Sequence, residues 1–269
     1  MTATSNTPAP TDAMRRTART AGVLYLITFV SIPTLVLYKP VKDHVGTFIL
    51  GTTGSETGVT WGAVTEIIVA LAGISTALVL FPVLKRQSET AALGIVAARL
   101  LETALIFVGV INMLTITTLR DNLAGATSTN SASLVAMGNS LVAVYNWTFL
   151  LSQALMPVIV DALLGYLLYR SRLVPRLLPV IALIGAPLLL VNDIAIFFGA
   201  YAKGSALDGL AALPIAGFEF SFGVWLIIKG FNPSSPLLTQ PNIEAGTRAS
   251  IPASRSPDKR LHDRGADIR

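Results

Sequence analysis

Residues 61–84 read WGAVTEIIVALAGISTALVLFPVL, 24 positions holding a single charged side chain, Glu66, and closed by Lys85-Arg86. A helix rising 1.5 Å per residue would make that stretch roughly 36 Å long, enough to cross the roughly 30 Å of hydrocarbon in a bilayer. Five more apolar runs of similar length occur, at 20–38, 91–119, 144–169, 177–199 and 210–228. The composition agrees with this reading. Of 269 residues 52% are hydrophobic and only 13% charged, against about 25% charged in a soluble domain, and the mean hydropathy is +0.65. The fold class read from these runs is all-α: a polytopic membrane protein, a bundle of six transmembrane helices with both termini cytoplasmic.

Orientation follows from the distribution of Lys and Arg. Six spans place both tails, the 85–90 turn and the 170–176 turn on one side, and with Lys229 these segments carry fifteen cations. The other side carries four: Lys39, Lys42, Arg120 and Lys203. Without the six cations beyond Lys229, nine remain against four. The positive-inside rule then sets the cation-rich side in the cytoplasm. Tyr38, Trp61, Trp147 and Tyr201 are expected near the outer interface, and Tyr25, Tyr166, Tyr169 and Trp225 toward the inner one. Arg15-Arg16 precedes the first run, but that run is long and no small-x-small cleavage site follows it before Lys39. An uncleaved first span is therefore expected.

The domain reading is a disordered N-terminal tail at 1–19, a transmembrane domain at 20–230 and a disordered basic C-terminal tail at 231–269. Two outer loops are expected. The first, 39–60, contains a short apolar piece at 45–50 that lies in the membrane interface, folds back as a lid or belongs to a plain surface loop. The second, 120–143, is rich in Ser, Thr, Asn and Gly and reads as a flexible connector that could run on into the fourth helix.

The spans contain six ionisable residues: Glu66, Arg99, Glu102, Asp161, Asp193 and Glu219. Insertion scales charge about 2.5–3.5 kcal/mol for an Asp, Lys or Arg at a helix centre, so these side chains must face the bundle interior, a partner or water. Counted from the cytoplasmic helix ends, Arg99, Asp161 and Glu219 all lie roughly 14–15 Å deep. Glu102 shares the face of Arg99, one turn farther out. Glu66 and Asp193 lie about 26 Å in and form an outer tier. Arg99 can neutralise one carboxylate or bridge two, so at least one inner acid is left without a cation. On the fourth helix, Asn146, Gln153 and Asp161 fall within roughly an 80° arc, with Pro157 between the last two. The cluster has two readings, a binding site for a proton, ion or solute, or glue for helix packing. For Glu66 and Asp193, nearer the interface where hydration is cheap, a structural role is the stronger reading.

The inventory excludes other chemistry. With no Cys there are no disulfides, thiolate metal sites, iron–sulfur clusters or Cys nucleophiles. His44 and His262 both fall outside the spans, which leaves no buried His for haem, metal or intramembrane serine hydrolysis. Neither Val160-Asp161-Ala162 nor Asn192-Asp193-Ile194 has the glycine-flanked aspartate of an intramembrane aspartyl protease. No GxxxxGK[ST] loop occurs. Enzyme activity, a cofactor, a metal and a nucleic-acid partner are therefore not expected; the expected partner is the lipid bilayer. Gly58-x-x-x-Gly62 fits the small-xxx-small pattern of helix contacts but sits at a helix end.

Three stretches carry a resemblance: Ala21-Gly22-Val23-Leu24-Tyr25-Leu26, Arg99-Leu100-Leu101-Glu102, and GYLLYRSRLVPR at 165–176 leading into Leu178-Pro179-Val180. Over about residues 15–230 the chain resembles the bacterial membrane family called domain of unknown function 4386. That resemblance implies a multi-pass bacterial membrane protein and lends no catalytic residue. The functional expectation is a membrane protein that binds or translocates a proton, cation or small solute between helices three, four and six, with Arg99 as countercharge and Asp161, Glu219, Glu102 and Gln153 as candidate ligands. The alternative is a non-transporting scaffold, sensor or regulator whose buried charges serve assembly. Six spans are few for a monomeric carrier, so a homo-oligomer is expected under either reading.

Overall fold

A computed structural model describes residues 10–124 and 131–239, and every regular element among them is helical. Six segments are long and apolar enough to cross a membrane: Asp12–Leu37, Glu56–Leu84, Glu89–Asn122, Ser131–Ser171, Leu177–Phe197 and Ala206–Ile228. The architecture is that of a multi-pass membrane protein.

Prolines set the breaks within the spans. The first consists of α1 (Pro10–Thr28), a 3₁₀ turn (Phe29–Ser31) and α2 (Ile32–Leu37). Pro33 lacks an N–H and its ring crowds the carbonyl four residues back, at Phe29, where the α-helix stops. Two short helices, α3 (Lys39–Asp43) and α4 (Val45–Ile49), precede the second and third spans, α5 (Glu56–Leu84) and α6 (Glu89–Ala124). The fourth span is α7 (Ser131–Phe149), a π-helical segment (Leu150–Leu155) and α8 (Met156–Ser171). Pro157 acts there as Pro33 does in the first span, and the carbonyl it crowds is that of Gln153. The last two spans, α9 (Leu177–Phe197) and α10 (Ala206–Ile228), continue through Pro187 and Pro214.

Packing closes the spans into a ring in chain order. α1 lies against α5, α5 against α6, α6 against α7 and α8, α8 against α9, α9 against α10, and α10 back against α1. In such a ring the third and sixth spans stand opposite each other, so a contact between them crosses the axis. Two apolar plugs fill the ring. At the end carrying the termini, Tyr25, Leu80, Leu164, Leu167, Phe218 and Phe222 are all buried. At the opposite end Tyr38, Phe48, Ile49, Met113, Ile116 and Tyr145 form a second cluster.

Several expected boundaries move. The tail expected at 1–19 is helical from Pro10, because the polar first turns of α1 pack with the C-terminal segment: Ala18 is fully buried, and Met14 packs against the same core as Phe231. The C-terminal tail expected from 231 starts with a docked segment. The Asn232 amide donates to the Leu173 carbonyl at 2.8 Å, the fully buried Ser235 hydroxyl donates to Ser171, and α11 (Pro236–Thr239) follows. The remainder of both tails, 1–9 and 240–269, lies outside the described residues. The loop expected at 120–143 is helical to Ala124 and again from Ser131, since Ser, Thr and Asn satisfy themselves on helix carbonyls, as Asn139 and Ser140 do. The apolar piece of the 39–60 loop folds back: Phe48 and Ile49 are buried against α6 and α7. Of the aromatics expected at the interfaces, Trp61 and Trp147 are exposed, whereas Tyr25 and Tyr38 are buried in the two plugs.

Candidate functional site

Arg99 stands on the inward face of α6 and is 3% exposed. Its Nη1 donates to both oxygens of Glu102, at 3.1 and 2.9 Å, as the three-residue spacing on one helix face allows. Its Nη2 donates to Glu219 Oε1 on α10 at 3.1 Å, the contact that crosses the axis. The guanidinium carbon lies 5.9 Å from the ring centre of Tyr25. On α5, Gly73 faces the guanidinium: a Cβ there would stand in ordinary contact, 3.8 Å from Arg99 Nη1. Arg99 Nε is buried without a hydrogen-bond partner.

Asp161, on α8, is 0% exposed, and neither carboxylate oxygen has a hydrogen-bond partner. The charges that act on it are those of Glu219, Arg99 and Glu102. The three carboxylates and one guanidinium of the inner tier therefore do gather in one region. Arg99 bridges two acids and leaves the third unpaired.

A cavity of about 240 Å³ reaches this cluster. Arg99, Glu102, Glu219, Gln153 and Pro157 line its inner part, and Thr28, Phe29, Ser31 and Ile32, at the break in the first span, line its outer part. A small solute or a few waters would fill it.

The expected outer tier divides into two. Glu66 Oε1 accepts from the Tyr145 hydroxyl at 2.8 Å and from Gln153 Nε2 at 3.3 Å. Asp193 Oδ1 accepts from Asn192 Nδ2 at 3.2 Å. Asn192 also bonds Asp208 and accepts from Tyr201, while Lys203 pairs with Asp208 at 2.9 Å. Gln153 thus joins the central cavity to Glu66. The shared face expected for Asn146, Gln153 and Asp161 does not form: Asn146 is exposed in a cleft with Lys42 and Lys203. The wider π-helical turns at Leu150–Leu155 break the 100° register on which that expectation rested. In the same cleft, outside the spans, burial pushes the Lys42 ammonium below its ordinary range, and the charge of Lys203 acts in the same direction.

Tyr25, Gly73, Tyr145, Asp208 and the 3₁₀ break were not read as part of a site. Tyr25 and Tyr145 have the composition of ordinary span aromatics, and Asp208 precedes the run at 210–228. Pro33 was the available signal for the break.

Fold and site together define a six-span membrane bundle with an ion cluster on its axis and a cavity leading to it. The chain belongs to the family described as domain of unknown function (DUF4386), whose model matches residues 20–230. No curated protein and no solved structure matches the chain.

Proposed function

We propose that the protein binds a proton or a small cation in the central cavity and passes it across a bacterial cytoplasmic membrane in which both termini face the cytoplasm. The observation that carries this reading is the cavity at Arg99. Arg99, Glu102 and Glu219 line it, and beside them, within reach of their charges, the fully buried Asp161 has no hydrogen-bond partner. An excess of carboxylates in a low-dielectric interior attracts a positive charge, and an intramembrane carboxyl that gains and loses a proton is the working part of many carriers. Arg99 fixes Glu102 and Glu219 in place, Asp161 and Glu219 are the acceptors, and Gln153 continues the polar lining toward Glu66.

The test is flux into sealed vesicles holding purified protein and a pH-sensitive dye, driven by an imposed membrane potential. Proton entry above that of protein-free vesicles is expected, falling at least tenfold in Asp161→Asn and in Glu219→Gln. Repeating the assay with a sodium-sensitive dye separates proton from cation. Wild-type flux that neither substitution changes, or no flux of either ion, overturns the proposal.

A second reading has one observation in its favour. Glu102 holds Arg99 through both oxygens and Glu219 adds a third hydrogen bond, a brace that ties the third span to the sixth. A non-transporting scaffold or regulator would need no more than this brace, and would show no flux of either ion.

A further inference from the structure

The two ends of the cavity differ in chemistry. Toward the termini the gap between the first and sixth spans is shut, because α1 and α10 approach so closely that a Cβ on Gly22 would lie 2.6 Å from the Gly223 carbonyl oxygen. Above that contact the first span breaks at Phe29–Ser31. Beyond the break, α2 packs on α5 and no longer follows α10. The cavity mouth lies in the resulting gap, with Ile32 on one side and Ala216 on the other. The lips are apolar: Ile32, Leu35 and Val36 on the first span and Leu213 and Phe220 on the sixth are all exposed. Phe29 and Phe220 meet edge to face at 5.6 Å beside it. Ala216 is thirteen residues from Lys229, which puts this mouth roughly 20 Å deep, within the hydrocarbon layer. An entrance there faces lipid tails, so an organic solute that uses it must be soluble in them.

Inside, the charge is of the opposite character. Glu102, Glu219 and Asp161 outnumber Arg99, and Asp161 and Arg99 Nε are buried without partners. Resting on the proposed cation site, we infer that its organic ligand is a lipophilic cation, an ammonium with an apolar tail, which enters sideways from the bilayer between the first and sixth spans. The ammonium head reaches Glu219, and the ring of Phe29 offers it a cation–π contact. The tail stays between Ile32, Leu213 and Phe220. A head of trimethylammonium size fits within about 240 Å³, whereas the tail does not need to.

The probe is tritiated dodecyltrimethylammonium, titrated against protein in lipid nanodiscs with empty nanodiscs as background. Saturable binding is expected, weakened at least tenfold in Glu219→Gln and in Ala216→Phe, which fills the mouth. Unlabelled dodecyltrimethylammonium should displace the probe and dodecanol should not. A monodisperse elution profile and a cooperative melting transition show that each variant is folded. No saturable binding, or binding that both variants retain, overturns the lateral-entry proposal; if Glu219-dependent ion flux persists alongside that result, the cation site itself stands. Loss of both overturns both.

Discussion

Arg99 carries a heavy electrostatic burden: it is buried, lies on the axis of the ring, and is hydrogen-bonded to two carboxylates from different spans. Removing one partner of a buried ion cluster costs about 3–5 kcal/mol, while replacing the whole cluster by neutral groups of similar volume costs far less. Arg99→Met should therefore unfold at clearly lower denaturant concentration than wild type. The triple variant Arg99→Met with Glu102→Gln and Glu219→Gln should recover most of the difference. A single variant within about 1 kcal/mol of wild type would show that the three groups are not coupled. Spacing alone put Glu102 on the face of Arg99, and depth placed Glu219 at the same level. Which acids Arg99 takes was not legible, because that depends on the ring bringing α6 and α10 face to face. The uncharged neighbour, the ring of Tyr25, had no signal.

The first and sixth spans are held together by small residues, and here the sequence pattern pointed to the wrong place. Gly58-x-x-x-Gly62 fitted the helix-contact motif, yet a Cβ on Gly58 would meet nothing nearer than Ser55 Cβ at 3.9 Å, and Gly62 makes room for the Tyr38 ring. The close approach is at Gly22 and Gly223, where the spacing Ala18-x-x-x-Gly22 on α1 was the available clue. A Cβ on Gly22 would press on backbone, which cannot rotate away as a side chain can. Gly22→Ala should cost about 1–3 kcal/mol, the usual penalty of overpacking, while Gly58→Ala should be neutral or stabilising by the helix-propensity gain of alanine. Melting temperatures of the two variants in one detergent decide it, and equal values would remove the close approach as a source of stability. The six spans themselves were legible because length and hydropathy are local properties. The π-helical segment and the docked start of the C-terminal tail were not, since each depends on contacts with other elements.

Taken whole, the molecule is a ring with two unlike ends, and the sideways mouth acquires a direction only once the ring is oriented. The end carrying the termini holds Arg15, Arg16, Arg19, Lys85, Arg86, Arg170, Arg172, Arg176 and Lys229, and the other end holds Lys39, Lys42, Arg120 and Lys203. Nine cations against four, all on short connections or beside helix ends, should hold the terminal end in the cytoplasm. The mouth, which lies beyond the Gly22–Gly223 contact as seen from that end, would then open toward the outer leaflet. The absence of cysteine makes the test direct, because any introduced thiol is the only one present. Thr90→Cys reports the terminal end and Ser55→Cys the opposite end; both positions are exposed. A membrane-impermeant maleimide added to intact cells should label Ser55→Cys at once and Thr90→Cys only after permeabilisation. The reverse pattern would turn the ring over and send the mouth to the inner leaflet. Equal labelling of both sites in sealed cells would mean that the two ends are not separated by a bilayer, and would overturn this orientation.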